Sequence, residues 1–326
     1  KKPMEIITKN HTEEKRFKYF GSGLEFAIIY FKNILLTIIT LGLYYPWAKV
    51  ELLKYHYQST ELDNSRFSFH ATGKEVFKGF IKIYTIVIAL YAFFIYASQT
   101  QDLTLITIAT ILLYVLLLLL IPFAIHGAVR YRASRSAWKG IHFKYLGDRK
   151  ELFLLYLKGV FFTIITFGIY GAWLQVDLRK YVLSNLHFGD LSFRFKGSGG
   201  ELFWITVKFI LLIYITLGIY GFWYYKNIIK FYVDNLEVTQ NGKPVNFKCN
   251  IKTADIVELL VINFFLLVFT LGLATPWVTV RTFKVILRFI VIEEGLDTES
   301  IQQVSYDDYD DATGDDFMDF LDFDLL

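Results

Sequence analysis

The stretch "TLGLYYPWAKVELLKYHY", residues 40–57, decides how this chain is read. It starts at the end of an apolar run, passes a glycine, a proline and a tryptophan, and ends among charged and aromatic residues. The break returns as "TFGIYGAWLQVDLRKY" from Thr166, "TLGIYGFWYYKNIIKFY" from Thr216 and "TLGLATPWVTVRTFKV" from Thr270. An acidic residue stands 17 positions before each of its glycines (Gly42, Gly168, Gly218, Gly272), at Glu25, Glu151, Glu201 and Asp255. A lysine stands ten positions before three of them, at Lys32, Lys158 and Lys208. Glu75 and Lys82 keep the same separation in a further copy that lacks the break. Self-similarity of this kind marks a chain built from repeats.

With 54% hydrophobic residues, 18% aromatic residues and a mean hydropathy of +0.40, the chain is too apolar for an ordinary soluble protein. It reads as an α-helical integral membrane protein of about five internal repeats. Leu103–Ile125 carries no charge, and at ~1.5 Å per residue it covers the ~30 Å hydrocarbon core. With Phe80–Ser98 it forms an expected spanning hairpin, residues 80–125. The first 25 residues are charged and lack a continuous apolar core, so no cleavable leader is expected. The single cysteine, Cys249, excludes an internal disulfide and any CxxC site.

Short alternating segments separate the repeats: "FKYFGSG" (17–23), "RFSFHATG" (66–73), "IHFKYLG" (141–147), "LSFRFKG" (191–197) and "VNFKCN" (245–250). Alternation running into glycine reads as a strand and its turn, and five such strands are expected to pair into one small cytoplasmic sheet. The membrane domain then covers 1–304, with apolar repeat segments 25–46, 152–173, 202–223 and 255–277. Residues 305–326 hold nine Asp and no Lys or Arg, an acidic tail expected to be disordered.

The run "GSGLEF" followed by "TLGLYYPWAKV", with its later copies, resembles the YjgN-like family of bacterial inner-membrane proteins over roughly residues 17–290. The resemblance implies a bacterial cytoplasmic membrane and supplies no activity. Ala274 departs from the pattern set by Tyr44, Tyr170 and Tyr220, and the second copy lacks the break.

If all six apolar segments crossed singly, Lys and Arg would be shared almost evenly between the two sides, with no positive-inside bias. If only 80–125 crosses, the basic flanks fall on one side, so most loops are expected in the cytoplasm. Each TLGxYxxW break then returns the chain to its starting side, with Trp47, Trp173, Trp223 and Trp277 at headgroup level. The alternative is a full transmembrane helix, from about Glu25 to Trp47, whose end the break marks.

Residues suited to chemistry are few. Thr37, Thr40 and Tyr44, with Thr163, Thr166 and Tyr170 and then Thr216 and Tyr220, form polar stripes on apolar helices. Such stripes either line a path for a polar solute or bond to helix carbonyls and neighbouring helices. Lys32, Lys82, Lys158 and Lys208 are candidate contacts for a lipid headgroup or other anion, or simply snorkelling side chains. "GSGGE" (197–201) lacks Walker spacing and reads better as a strand-to-helix turn than as a phosphate loop. His11, His56, His70, His126, His142 and His187 show no ligand spacing, and no GxSxG elbow occurs. No catalytic residue, metal or cofactor is expected.

Two function classes remain. One is a non-enzymatic scaffold or lipid-binding protein, using basic amphipathic helices against anionic lipid. The other is a transporter or channel-like protein for a polar or anionic solute. The basic flanks carry no nucleic-acid motif. Phe317, Phe320 and Phe323 suit the tail to docking on the same chain or on a protein partner, the alternative being a merely solubilising tail.

Overall fold

The computed structural model describes residues 14–303. Its elements repeat the order strand, helix, helix, strand five times. The first unit is β1 (Lys15–Tyr19), α1 (Gly23–Ile39), α2 (Tyr45–Ser59) and β2 (Thr60–Leu62). The second is β3 (Ser65–Phe69), α3 (Gly73–Gln99), α4 (Leu103–Arg135) and β4 (Ser136–Trp138). The third is β5 (Ile141–Tyr145), α5 (Arg149–Ile165), α6 (Gly171–Ser184) and β6 (Leu186–Phe188). The fourth is β7 (Leu191–Phe195), α7 (Gly199–Ile215), α8 (Gly221–Asp234) and β8 (Leu236–Gln240). The fifth is β9 (Lys243–Cys249), α9 (Thr253–Phe269), α10 (Thr275–Arg288) and β10 (Ile290–Ile292).

The ten strands close into one antiparallel barrel. Within each unit the two strands pair across the helical excursion, as in Phe17↔Leu62, Phe67↔Trp138, Phe143↔Phe188, Phe193↔Val238 and Phe247↔Ile292. Tight turns join one unit to the next. At Asp63-Asn64, Lys139-Gly140 and Asn241-Gly242 both central residues have positive φ, the type I′ geometry that matches strand twist. Pairing of β1 with β10 completes the ring and leaves no strand edge open.

The pleat sends alternate side chains inward, so those five cross-strand pairs face a common interior, where they pack as one apolar cluster. Leu191 and Val245 join it, and so do Leu296 and Ile301 from the segment after β10. The residues between point outward, and Arg16, Lys18, Arg66, Arg194, Lys196 and Lys248 are exposed on the barrel wall, where Lys18 pairs with Glu61 (3.9 Å), Lys196 with Glu237 (2.8 Å) and Lys248 with Glu293 (4.0 Å). The segment after β10 is tied across the barrel end. Asp63 accepts from Lys15 (3.2 Å), from Lys139 (3.0 Å) and from the Thr298 hydroxyl, and Gln240 donates to the Asp297 carbonyl at 2.8 Å. The Thr298 hydrogen bond, helped by the two lysines, holds the Asp63 carboxyl well below the usual carboxylate range.

The repeated acidic residue marks where each first helix starts. Ser22, Thr72, Asp148 and Ser198 are N-caps, accepting from the backbone N–H of Glu25, Glu75, Glu151 and Glu201. Asp255 closes the fifth by accepting from the Lys252 N–H at 2.8 Å. An acid in the first turn also complements the helix dipole.

The expected fold class needs correction on two counts. The sheet is a closed ten-stranded barrel, not a small sheet of five. The missed strands are mostly three residues long, "TEL", "SAW", "LHF" and "IVI", too short to show alternation. Nor is the chain a multi-pass helical bundle, since among the described residues only α3 (27 residues) and α4 (33 residues) are long and apolar enough to cross a membrane. Helices α1, α5, α7 and α9 stop after 17 residues, about 25 Å of rise.

Candidate membrane-facing site

What stops those helices is the TLG break. In the first unit the Gly42 N–H donates to the Thr37 carbonyl at 2.7 Å and the Leu41 N–H to the Ile38 carbonyl at 3.0 Å, the paired bonds of a Schellman cap. Leu41 (φ 51°) and Gly42 (φ 91°) are both left-handed, which turns the chain back on itself. The Thr40 hydroxyl serves both helices, donating to the Leu36 carbonyl (2.8 Å) and accepting from the Tyr44 N–H (2.9 Å). Thr166, Thr216 and Thr270 repeat both bonds. Threonine therefore caps the outgoing helix and starts the returning one.

This turn thrusts a large apolar side chain outward. Leu41, Phe167, Leu217 and Leu271 are 82%, 98%, 92% and 93% exposed. Ile38, Ile39, Ile164, Tyr214, Ile215 and Phe269 add further exposed apolar surface beside them. Contiguous apolar patches of this kind mark binding or membrane surfaces. The second unit differs, because its tip, residues 99–102, reads "QTQD" and is polar.

The expected site residues separate into groups. Lys32, Lys82, Lys158 and Lys208 are all exposed, one each on α1, α3, α5 and α7. These helices are separated from one another by α2, α4 and α6, so the lysines do not converge, and Lys32 is paired with Glu51. The threonine stripe bonds locally: Thr37 donates to the Asn33 carbonyl and Thr163 to the Gly159 carbonyl, each at 2.7 Å. The tyrosines stack on the break tryptophans, Tyr44 on Trp47, Tyr170 on Trp173 and Tyr220 on Trp223, with centroids 5.9, 6.0 and 6.3 Å apart.

The tryptophans join units. A Cβ at Gly73 would lie 2.3 Å from Trp47, one at Gly199 2.4 Å from Trp173, and one at Gly23 2.4 Å from Trp277. The indole of one unit thus occupies the place where a side chain would begin on the next unit's first helix. Sequence reasoning missed the second letter of TLG as a functional position. Its signal was present, since that letter is a large apolar residue in every break. Phe317, Phe320 and Phe323 lie outside the described residues.

Comparison with known proteins fits a membrane setting. The inner membrane protein YjgN of two Escherichia coli strains is 33% and 31% identical over 141 residues, and that of Salmonella typhimurium 29% over 138. These alignments cover 43%, 43% and 42% of this chain and 33% of each relative, so the chain matches about a third of their length. No solved structure matches. A family model described as bacterial protein of unknown function (DUF898) matches residues 14–214 and 227–320, and the chain belongs to that family.

Proposed function

We propose that this protein is a non-enzymatic scaffold of the bacterial inner membrane that engages anionic lipid. In this reading the α3–α4 hairpin crosses the bilayer, and the four shorter hairpins enter one leaflet from the cytoplasmic side and return. The barrel then lies at the cytoplasmic face, with Arg66 and Arg194 of its wall near anionic headgroups, where each close Lys or Arg contributes about 1 kcal/mol.

The supporting observation is the set of four turns that present Leu41, Phe167, Leu217 and Leu271 almost wholly exposed. Left in water such tips invite aggregation, whereas in acyl chains they anchor the ring. The transport alternative draws less support. The barrel interior is packed with apolar side chains and tied off by the segment bearing Leu296 and Ile301, and the stripe threonines bond to their own helices.

The reading is tested by placing an environment-sensitive probe on Leu217→Cys in reconstituted protein. Quenching by bromine on lipid acyl chains, with protection from aqueous iodide, is the expected result. Quenching by iodide and not by brominated lipid would overturn it.

A further inference from the structure

The five seams between units are not alike. Trp47, Trp173, Trp223 and Trp277 each stand thirteen residues before the second strand of their unit, and in the second unit that position is Phe123. Phe123 still packs on the next unit, its ring centroid 5.1 Å from that of Phe153, as Trp47 does on Phe77 (5.0 Å) and Trp173 on Phe203 (5.4 Å). It lacks the second ring of an indole. Arg149 occupies the helix-start position held by Gly23, Gly73 and Gly199. One helical turn further along α4, His126 replaces the buried valines Val50, Val176 and Val280 of other units.

All three departures meet at one place. Between α4 and α5 lies a cavity of about 570 Å³, within the size range of ligand sites. Phe123, Phe153 and Leu154 form its apolar side, and Arg130, Arg149 and Lys150 its cationic side. His126 lines it at 2% exposure, with neither ring nitrogen hydrogen-bonded. A buried imidazole without a polar partner is costly, and here it faces a space that a ligand can fill. Asp148 also borders the cavity, but its carboxylate accepts from the Lys150 and Glu151 N–H groups at 2.8 and 2.9 Å. Arg130, Arg149 and Lys150 thus bring three cationic groups to the lining, and Asp148 one carboxylate. The cavity begins where the uncharged run Leu103–Ile125 ends, the level at which a spanning helix leaves the hydrocarbon.

We propose that this cavity binds the phosphate of an anionic phospholipid, with its acyl chain along Phe153 and Leu154. Arginine suits phosphate through its planar fork of donors, and the unpartnered His126 ring supplies a further polar contact from the apolar side. The proposal rests on the membrane reading above and adds the lipid class and its place.

The test uses the full chain in phosphatidylcholine nanodiscs doped with phosphatidylglycerol, with bound lipid read by native mass spectrometry. Retention of phosphatidylglycerol over phosphatidylcholine, undisturbed by millimolar inorganic phosphate, is expected. The double variant Phe123→Trp/Arg149→Gly rebuilds the tryptophan–glycine seam found at Gly23, Gly73 and Gly199 and should reduce retention about tenfold, the scale of a lost charged hydrogen-bond pair. Arg149→Gln serves if the double variant does not fold, with a several-fold loss expected. Unchanged retention in a folded variant would overturn the site, and displacement by inorganic phosphate would make it a site for the free anion. Acyl-chain quenching at Leu217→Cys, measured in the same variant, shows separately whether the hairpins still insert, so failure of the site and failure of the membrane reading are distinguishable.

Discussion

Gly199 and Gly200 are neighbours in "GSGGE" at the start of α7, yet their surroundings are opposite. A Cβ at Gly199 would lie 2.4 Å from Trp173 Cδ1 and Cγ and 2.7 Å from the Trp173 backbone, whereas one at Gly200 would meet nothing within 4 Å. The clash with backbone is decisive, because an indole can swing away but the helix that carries it must move as a whole. Gly199→Ala should therefore cost about 2–3 kcal/mol, the upper part of the range for overpacked sites. Gly200→Ala should be neutral or stabilise by up to about 0.5–1 kcal/mol, since alanine restricts the unfolded chain and suits a helix. For a chain of this size that separates the two midpoints by roughly 4–12 °C. Thermal unfolding of both variants in one detergent, followed by circular dichroism and by Trp fluorescence, measures the difference. Equal midpoints, or a Gly200→Ala midpoint below that of Gly199→Ala, would refute the reasoning about the seam.

Other outcomes follow from single bonds. Thr216→Val removes the hydroxyl that accepts from the Tyr220 N–H at 3.0 Å and should cost about 1–2 kcal/mol. Thr206→Val, whose hydroxyl only donates to the Leu202 carbonyl, should be nearly neutral in the same unfolding assay. At Asp63 the folded carboxyl is held below its unfolded value, so its contribution is present above the ordinary carboxylate range and is lost as pH falls through the folded value. Asp63→Asn should loosen the segment after β10 at neutral pH, read as faster proteolysis within 293–303. It should also flatten the acid dependence of that cleavage.

Much of this architecture was legible because local chemistry set it. The spacing from Glu25 to Gly42 measures one helix, from the first-turn acid to the glycine of its Schellman cap, so counting residues located both ends. The short strands were not legible by alternation, because three residues cannot show a period. The turn dipeptides Asp63-Asn64, Lys139-Gly140 and Asn241-Gly242 did announce hairpins, and a hairpin at each junction implies two strands per unit. The shared sequence position of the four lysines places them at the same height on a ring without bringing them together. The odd seam was hidden because the second unit lacks the break used to align the others. Counting back from its second strand places Phe123 with the tryptophans.

The most direct measurement is side-resolved labelling of single introduced cysteines in oriented vesicles, using an impermeant maleimide. Cys249 is fully buried and should stay silent. Gln101→Cys, at the polar tip of the α3–α4 hairpin, should react from one side only, and Asn241→Cys, in a barrel turn, only from the other. Phe167→Cys and Leu217→Cys, at the tips of short hairpins, should react from neither side. Labelling of either tip from the side that labels Gln101→Cys would mean that the short hairpins cross the bilayer, and would contradict re-entry into one leaflet.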